Sequence, residues 1–186
     1  IIKCRDYLIE GELSALSRHL LSKGAKPTPV FSKVINLNND ESTLRSQIRK
    51  SYGSLINWGL RELKPMIFDA SNINWQHMNE FRELHIRESG HETRSVKSWR
   101  RQLDIVRANE AFVIFGYIDN QLVSAGLFMH NKFNCYYGVS ASRRDMFEKP
   151  LFHALMWTAI LHAKKIGCQW FEVGEELFPN HPKNSL

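Results

Sequence analysis

The residues best suited to chemistry flank one apolar segment, residues 150–166. On its amino-terminal side, a polar loop carries the hydroxyl of Ser140 and the cations Arg143, Arg144 and Lys149. Hydroxyls and cations at the entrance of a helix suit an anionic ligand, because a guanidinium binds phosphate oxygens in pairs. The alternative is a solvated loop with an ordinary mixture of charges, which is the commoner use of such a sequence.

Two further candidates, Tyr136 and Glu172, lie on the strands predicted before and after this segment. A carboxylate at the end of a strand can accept a proton directly or through water. A tyrosine phenol can donate a hydrogen bond to an oxyanion. Tyr136 and Tyr137 project to opposite faces of a strand, so at most one of them faces a given cleft. The alternatives are a solvent-facing Glu172 and tyrosines that serve packing.

A predicted strand, helix and strand position these residues. The first strand covers Phe133–Gly138 and the second covers Gln169–Val173, while residues 151–163 between them are almost entirely apolar. Pro150 suits the first helical position, and Gly167 suits the end of the helix. An apolar helix between two short strands indicates a buried crossover whose strands are parallel neighbours in one sheet.

The rest of the chain predicts an α/β protein with a mixed sheet. An amphipathic helix over residues 7–23 and a strand near residues 30–37 come first, and a helix follows over residues 42–56. From Met66 the predicted order is strand, two helices, three antiparallel strands, helix and strand. Residues 119–120, Asp-Asn, suit the turn of a hairpin. This order is typical of α/β folds with both parallel and antiparallel pairs.

The helix over residues 42–56 carries a basic stripe. Arg49 and Lys50 lie beside Tyr52, a combination that could contact phosphates and stack on a base or sugar. A solvated helix face is the commoner alternative. Gly53 and Gly59 are expected to weaken this helix and to end it early.

Composition indicates a globular protein with a preference for anionic partners. With 186 residues, 43% of them hydrophobic, the chain can form one domain or one domain and an extension. The net charge of +6 favours nucleic acid, phosphorylated sugars or an anionic membrane surface. Cys4, Cys135 and Cys168 are odd in number and widely spaced, so they support neither disulfides nor a metal site. This cysteine usage predicts a reducing cytoplasm. No transmembrane segment is expected, since no apolar run reaches about 18 residues.

Two stretches carry a family resemblance, LRSQIRKSYGSLINWG and YYGVSASRRDMFEKPLFHALMWTAILHAKKIGCQWFEVG. They resemble the acyl-CoA N-acyltransferase (GNAT) fold and, within it, the FemAB-type proteins that build peptidoglycan cross-bridges from aminoacyl-tRNA. The resemblance covers about residues 40–175 and implies a mixed sheet with helices on both faces. It also implies a GNAT-like domain over residues 63–186, shortened at its C-terminal end. Residues 1–62 would be the connecting segment and basic helix at the tail of a companion domain.

The resemblance implies transfer of an aminoacyl or acyl group to an amine of a cell-wall or polysaccharide precursor. Glu172 and Tyr136 are then the catalytic candidates. The substrate-binding candidates are polar residues of the loop and of the basic helix: Ser140, Arg143, Arg144, Lys149, Arg49, Lys50 and Asn57. The expected acceptor is an anionic sugar or a lipid-linked precursor, met in the cytoplasm or at the inner membrane surface.

The donor stays open between aminoacyl-tRNA and acyl-CoA, and no tightly bound cofactor is expected. The loop SASRRDMFEKPL has no glycine, whereas acetyl-CoA enzymes hold the cofactor's pyrophosphate on the amides of a glycine-containing loop. Two alternative functions also stay open. One is an acyl-CoA-dependent N-acetyltransferase, and the other is a non-catalytic module that binds a polyanion or a partner chain.

Overall fold

The computed structural model describes residues 12–28 and 31–176, which fall into two compact units. The first unit contains helix α1 (Ala15–Ser22). The helix begins where the side chain of Ser14 accepts a hydrogen bond from the backbone N–H of Ser17 at 3.2 Å. This is the described part of the helix predicted at residues 7–23, of which residues 7–11 lie outside the described ranges. The second unit spans Ser32–Gly174 and contains the candidate site residues.

Six strands and five more helices are present along the rest of the described chain. The strands are β1 (Phe31–Asn36), β2 (Met66–Phe68), β3 (Ala111–Ile118), β4 (Gln121–His130), β5 (Asn134–Ser142) and β6 (Trp170–Glu176). The helices are α2 (Glu41–Ser46), α3 (Lys50–Glu62), α4 (Trp75–Ser89), α5 (Val96–Arg107) and α6 (His153–Lys165). A short 3-10 turn, Arg144–Met146, lies between β5 and α6.

The sheet is mixed, with the strand order β1-β6-β5-β4-β3-β2. Strands β2 to β5 are antiparallel neighbours, and β5 and β6 are parallel. The β3–β4 turn consists of Asp119 and Asn120, whose left-handed φ angles of 50° and 60° suit a two-residue type I′ turn. The predicted mixed α/β sheet and the predicted parallel pair around the crossover helix are therefore confirmed.

Helices cover both faces of the sheet, as predicted. Ile114 and Phe128 point to the face on which α3 and α6 pack, and we call this the α6 side. Val113 and Phe115 point to the face on which α4 and α5 pack, and we call this the α4–α5 side. The alternation of Val113, Ile114 and Phe115 shows how one strand supplies both cores, since successive side chains of a strand project to opposite faces.

Helix α6 is the predicted core helix, although it begins later than predicted. Its apolar residues are buried, with Leu155 and Ala159 fully enclosed. It starts at His153 rather than at Pro150, because the preceding residues close a separate turn in which the N–H of Leu151 donates to the carbonyl of Lys149 at 2.9 Å. The end of the helix agrees with the prediction.

The helix predicted over residues 42–56 is two helices, α2 and α3. Asp40 caps α2 by accepting the N–H of Thr43 at 2.7 Å, and the helix ends at Ser46. Helix α3 then runs through both Gly53 and Gly59, which were expected to end it. Gly59 is buried against α6, where an added Cβ would lie 2.5 Å from the Cβ of Ala154. This glycine therefore permits a close contact between α3 and α6.

Candidate active site

The parallel strands β5 and β6 pair over a short stretch and then separate. Residues 134–136 lie opposite residues 170–172, and the described residues show no further pairing between the two strands although both continue. Strand β5 meanwhile remains paired with β4 as far as Ser142, with a bulge at Gly138. A bulge bends its strand and increases the local twist. The opening that results, between the later residues of β5 and β6, is called the β5–β6 gap below.

The last paired position before the gap is Tyr136 opposite Glu172. Paired residues of neighbouring strands share a face, so the two catalytic candidates lie side by side. Phe171 and Tyr137 pack into the core of the α6 side, and alternation therefore assigns Glu172 and Tyr136 to the α4–α5 side. The structure thus brings together two residues that are 36 positions apart in the sequence.

Glu172 is the one charged side chain that is buried among residues 12–28 and 32–174, with 6% of its surface exposed. Burying a carboxylate is costly unless it accepts hydrogen bonds. The hydroxyl of Ser32, on β1, donates to Oε1 of Glu172 at 2.8 Å. The solvent-facing alternative for Glu172 is therefore wrong. The site has a fixed, largely desolvated carboxylate at the point where the strands separate.

Tyr137 and Ser140 interact with each other on the α6 side of β5. The Tyr137 phenol and the Ser140 hydroxyl are hydrogen-bonded, and the Tyr137 ring packs between Phe128 and Phe152. Tyr137 is therefore the tyrosine that belongs to the core. Tyr136 is half-buried on the other face.

Arg143 and Arg144 line a cavity of about 460 Å³ between the end of α4 and the loop after β5. Arg143 meets a carboxylate through its side chain, and Arg144 meets one through its backbone N–H. The Arg143 guanidinium donates through two nitrogens to Asp145 and through a third to Gln121 at 3.0 Å. The hydrogen bond from Arg143 lowers the pKa of the Asp145 carboxyl. The backbone N–H of Arg144 donates to Oε2 of Glu88 at 2.8 Å, while its side chain is exposed.

The backbone N–H groups of this loop are also largely paired. Arg143 donates to Val123 at 2.9 Å, Met146 to Arg143 at 3.3 Å, Phe147 to Arg144 at 3.3 Å and Lys149 to Met146 at 2.8 Å. A pyrophosphate group is bound by a row of free N–H groups, commonly next to a helix N-terminus. The N–H groups of residues 143, 144, 146, 147 and 149 are therefore already paired with protein oxygens.

Lys149 does not join Arg143 and Arg144. It lines a different and larger cavity of about 820 Å³, which we call the hairpin cleft, with walls that include Trp58, Lys64, Tyr117 and Asp119. The three cations predicted to form one phosphate site are thus divided between two cavities. Their assignment as substrate-binding residues stays a prediction.

The candidates on α3 lie apart from the β5–β6 gap. Helix α3 packs on α6, on the face opposite to Tyr136 and Glu172. The side-chain oxygen of Asn57 accepts a hydrogen bond from Arg45 at 2.6 Å, and the Arg49 guanidinium lies over the ring of Tyr52. Lys50 is exposed. The structure does not bring these residues to the candidate catalytic pair.

Sequence reasoning missed two residues of the site, Ser32 and Glu88. Ser32 is separated from Glu172 by 140 positions, and Glu88 from Arg144 by 56 positions. Only the pairing of β1 with β6 and the packing of α4 beside β5 bring these groups together. No local pattern in the sequence indicates them.

No metal-ligating group of three or more His, Cys, Asp or Glu residues occurs in the described part of the chain. Cys135 and Cys168 are buried and unpaired, and burial raises the pKa of the Cys168 thiol. Within the described residues, no helix has both the length and the apolar character needed to cross a bilayer.

The sequence matches no protein-family model and no curated protein, but the fold matches solved structures. FemX superposes with a TM-score of 0.63 at 10% identity, over 83% of this chain and 55% of FemX. The C-terminal domain of a lysylphosphatidylglycerol synthetase from Agrobacterium fabrum gives a TM-score of 0.63 at 15% identity, over 86% of this chain and 51% of that one. A tandem GNAT protein from the clavulanic acid biosynthesis pathway gives a TM-score of 0.53 at 13% identity, over 95% of this chain and 55% of the tandem protein.

The chain spans about half the length of these structures. Identities this low relate folds rather than activities. The predicted resemblance is confirmed at that level: the chain has the GNAT-type acyltransferase fold shared with FemX and with the tandem GNAT protein.

Proposed function

We propose that the chain is the catalytic part of an acyltransferase that moves an aminoacyl group from a tRNA ester to a primary amine of a cell-wall or polysaccharide precursor. The observation that carries this proposal is the pair of Tyr136 and Glu172 at the last paired position before the β5–β6 gap. A buried carboxylate beside a phenol, at an opening in a sheet, suits a reaction that must remove one proton and stabilise one oxyanion.

In the proposed reaction the amine nitrogen attacks the ester carbonyl carbon. Glu172 accepts the proton that the amine loses, directly or through one water molecule. Tyr136 donates a hydrogen bond to the carbonyl oxygen as negative charge develops on it. The new C–N bond forms, the ester C–O bond breaks, and the ribose hydroxyl of the tRNA leaves with the proton. Proton transfer by a positioned side chain typically accelerates a reaction about 10²–10⁴-fold.

The loop after β5 favours an ester of RNA over a thioester of coenzyme A as the donor. Five of its N–H groups, those of residues 143, 144, 146, 147 and 149, already donate to protein oxygens, so a pyrophosphate bound there would have to replace existing hydrogen bonds. A tRNA phosphate backbone can instead be held by exposed cations such as the Arg144 side chain, because its contacts are mainly electrostatic. The net charge of +6 agrees with such a donor.

The second candidate is an acyl-CoA-dependent N-acetyltransferase that uses the same catalytic pair. Its support is the likeness to a tandem GNAT protein over 95% of this chain. A non-catalytic polyanion-binding module is the third candidate, and the absence of any turnover would favour it.

The test compares Glu172→Gln and Tyr136→Phe with a matched control, Tyr137→Phe. The assay uses radiolabelled aminoacyl-tRNA or acetyl-CoA as the donor and a lysine-containing peptidoglycan stem peptide as the amine. With tRNA, we expect Glu172→Gln to lower the transfer rate by about 10²–10⁴-fold and Tyr136→Phe to lower it less. Tyr137→Phe should transfer at nearly the parent rate, since its phenol bonds Ser140 on the other face.

Each result separates the candidates. Turnover with acetyl-CoA alone would replace the proposed donor and keep the catalytic pair. Full activity of Glu172→Gln would remove the carboxylate from the mechanism. Salt-sensitive tRNA binding without turnover by the parent chain would support the binding module instead.

A further inference from the structure

The hairpin cleft lies beside β2, which is the edge strand of the sheet on the side opposite to β1. Its volume of about 820 Å³ falls within the range of roughly 300–1,000 Å³ found for small-molecule sites. Residues from α3, β2, α4 and the β3–β4 hairpin line it, with Lys149 from the loop before α6. Two strands, β4 and β3, separate it from β5 in the sheet, so it is distinct from the candidate active site.

Irregular backbone shapes this cleft. Lys64 adopts a left-handed φ of 44° directly before Pro65, and the β3–β4 pairing shifts register between Gly116 and Tyr117. The N–H of Tyr117 donates to the carbonyl of Leu63 at 3.3 Å, which joins the end of α3 to β3. Such outliers persist only where surrounding contacts hold them, and they cluster at binding and functional sites.

Aromatic side chains form the walls of the cleft. Trp58 and Tyr117 are half-buried. Phe68 is buried, and its ring centroid lies 4.2 Å from that of His77. The Tyr117 phenol donates to the Glu80 carboxylate at 3.1 Å, which fixes the ring. Burial and the neighbouring Glu80 raise the pKa of this phenol, so Tyr117 stays a neutral donor. The walls therefore offer rigid, apolar ring surface.

The rim carries polar groups of both kinds. Lys64, Lys149 and Asp119 are exposed and make no ion pair with any residue in 12–28 or 31–176, and Asn120 lies beside them. Glu62 is the other acid of the lining, and it pairs with Arg61 at 2.6 Å. With Arg61 counted, three cations and two acids surround the cleft, so charges of both signs lie on its rim. Donors and acceptors of hydrogen bonds are thus both available.

This combination selects the chemistry of the ligand. A phosphorylated ligand would meet the carboxylates of Asp119 and Glu62, and a wholly apolar ligand would desolvate four charged groups without replacing their hydrogen bonds. A sugar ring has C–H faces that pack on aromatic rings and hydroxyls that both donate and accept. We propose that the hairpin cleft is a binding site for a neutral saccharide of a few units. This inference does not depend on the proposed transfer reaction.

Calorimetric titration of the chain with neutral trisaccharides tests the proposal. The probes are maltotriose, cellotriose and tri-N-acetylchitotriose, with inorganic diphosphate and AMP as phosphorylated comparisons. The double variant Asp119→Asn/Lys149→Gln removes one charge of each sign from the rim, and asparagine tolerates the left-handed backbone at position 119. The matched control is Asp104→Asn/Lys97→Gln, a pair of exposed residues on α5.

We expect at least one trisaccharide to bind at millimolar concentration, and the rim variant to weaken that binding by about tenfold through lost hydrogen bonds. The α5 control should bind like the parent, and Trp58→Ala, checked for folding, should bind weakly or not at all. Three results would overturn the proposal: no binding of any trisaccharide, binding that is unchanged in the rim variant, or tighter binding of diphosphate or AMP. Because no transfer is measured, none of these results bears on the acyltransferase proposal.

Discussion

Strand β6 presents different kinds of side chain to the two sides of the sheet. Phe171 points to the α6 side, is fully buried and packs against Phe128. Glu172, the next residue, points to the α4–α5 side and holds a carboxylate at the β5–β6 gap. One strand thus supplies an apolar anchor to one side and the candidate chemistry to the other. The packing of Phe171 holds the strand, and the hydrogen bond from Ser32 holds the carboxylate.

The sharpest way to break this comparison is to replace the two neighbours separately. Phe171→Ala should lower the free energy of unfolding by about 3–5 kcal/mol, since it removes a large core side chain and leaves a cavity. Glu172→Gln keeps the shape and should cost only about 1–2 kcal/mol through a weakened hydrogen bond with Ser32. Urea unfolding followed by circular dichroism measures both. Equal losses would show that the carboxylate is as structural as the ring.

A second comparison tests how tightly the α6 side is packed. Gly59→Ala and Gly53→Ala both gain helix propensity of about 1 kcal/mol on α3. An added methyl group at position 53 meets open space, whereas at position 59 it would lie 2.5 Å from the Cβ of Ala154. Overpacking of that kind costs about 1–3 kcal/mol, so Gly59→Ala should be less stable than Gly53→Ala by that amount. Thermal unfolding of the two variants measures the difference, and equal midpoints would mean that α3 can shift away from α6.

The fold was largely predictable because local sequence patterns indicate most of its helices and strands. The alternating strands β3 and β4, the Asp119–Asn120 turn and the apolar run of α6 each follow from residue periodicity. At Gly59 the boundary prediction failed because a tertiary contact overrides local preference. The sequence predicts that Gly59 disrupts α3. In the structure the absence of a Cβ at Gly59 lets α3 pack closely on Ala154 of α6.

The candidate site was predictable only in part, for a different reason. Tyr136 and Glu172 could be placed on neighbouring strands, and the register then set them side by side. The sequence shows which cations the loop contains, but it does not predict which groups they contact. Asp145 is close in sequence to Arg143, yet Glu88 reaches Arg144 only through the packing of α4. The charge that a loop can offer to a ligand depends on such contacts.

The loop that passes from β5 to α6 offers a smaller test. Asp145→Asn removes the carboxylate that holds the Arg143 guanidinium and should free it for an external anion. Affinity for inorganic diphosphate should rise severalfold, while the free energy of unfolding should fall by less than about 1 kcal/mol, as for other exposed ion pairs. Glu148→Gln is the matched control, because Glu148 is exposed in the same loop and makes no ion pair with a described residue. Equal diphosphate affinity in the two variants would mean that Asp145 does not compete for the site.

The smallest expected effect is in the pH dependence of stability, for which one histidine from each side of the sheet is compared. His162 packs edge-on against Phe112 on the α6 side, and His85 packs against Trp99 on the α4–α5 side. Burial lowers the pKa of both rings from the ordinary value of 6.5; Asp69 opposes the effect at His162, whereas Arg94 adds to it at His85. Because the unfolded chain then binds protons more readily than the folded chain, these groups make stability fall as the pH drops below about 6.5.

Replacing either ring with glutamine should flatten the decline between pH 7 and pH 5, measured by urea midpoints at each pH. A decline that is as steep in both variants as in the parent would assign it to other groups, and a change in His85→Gln alone would place the pH-sensitive contacts on the side of the sheet that carries the candidate catalytic pair.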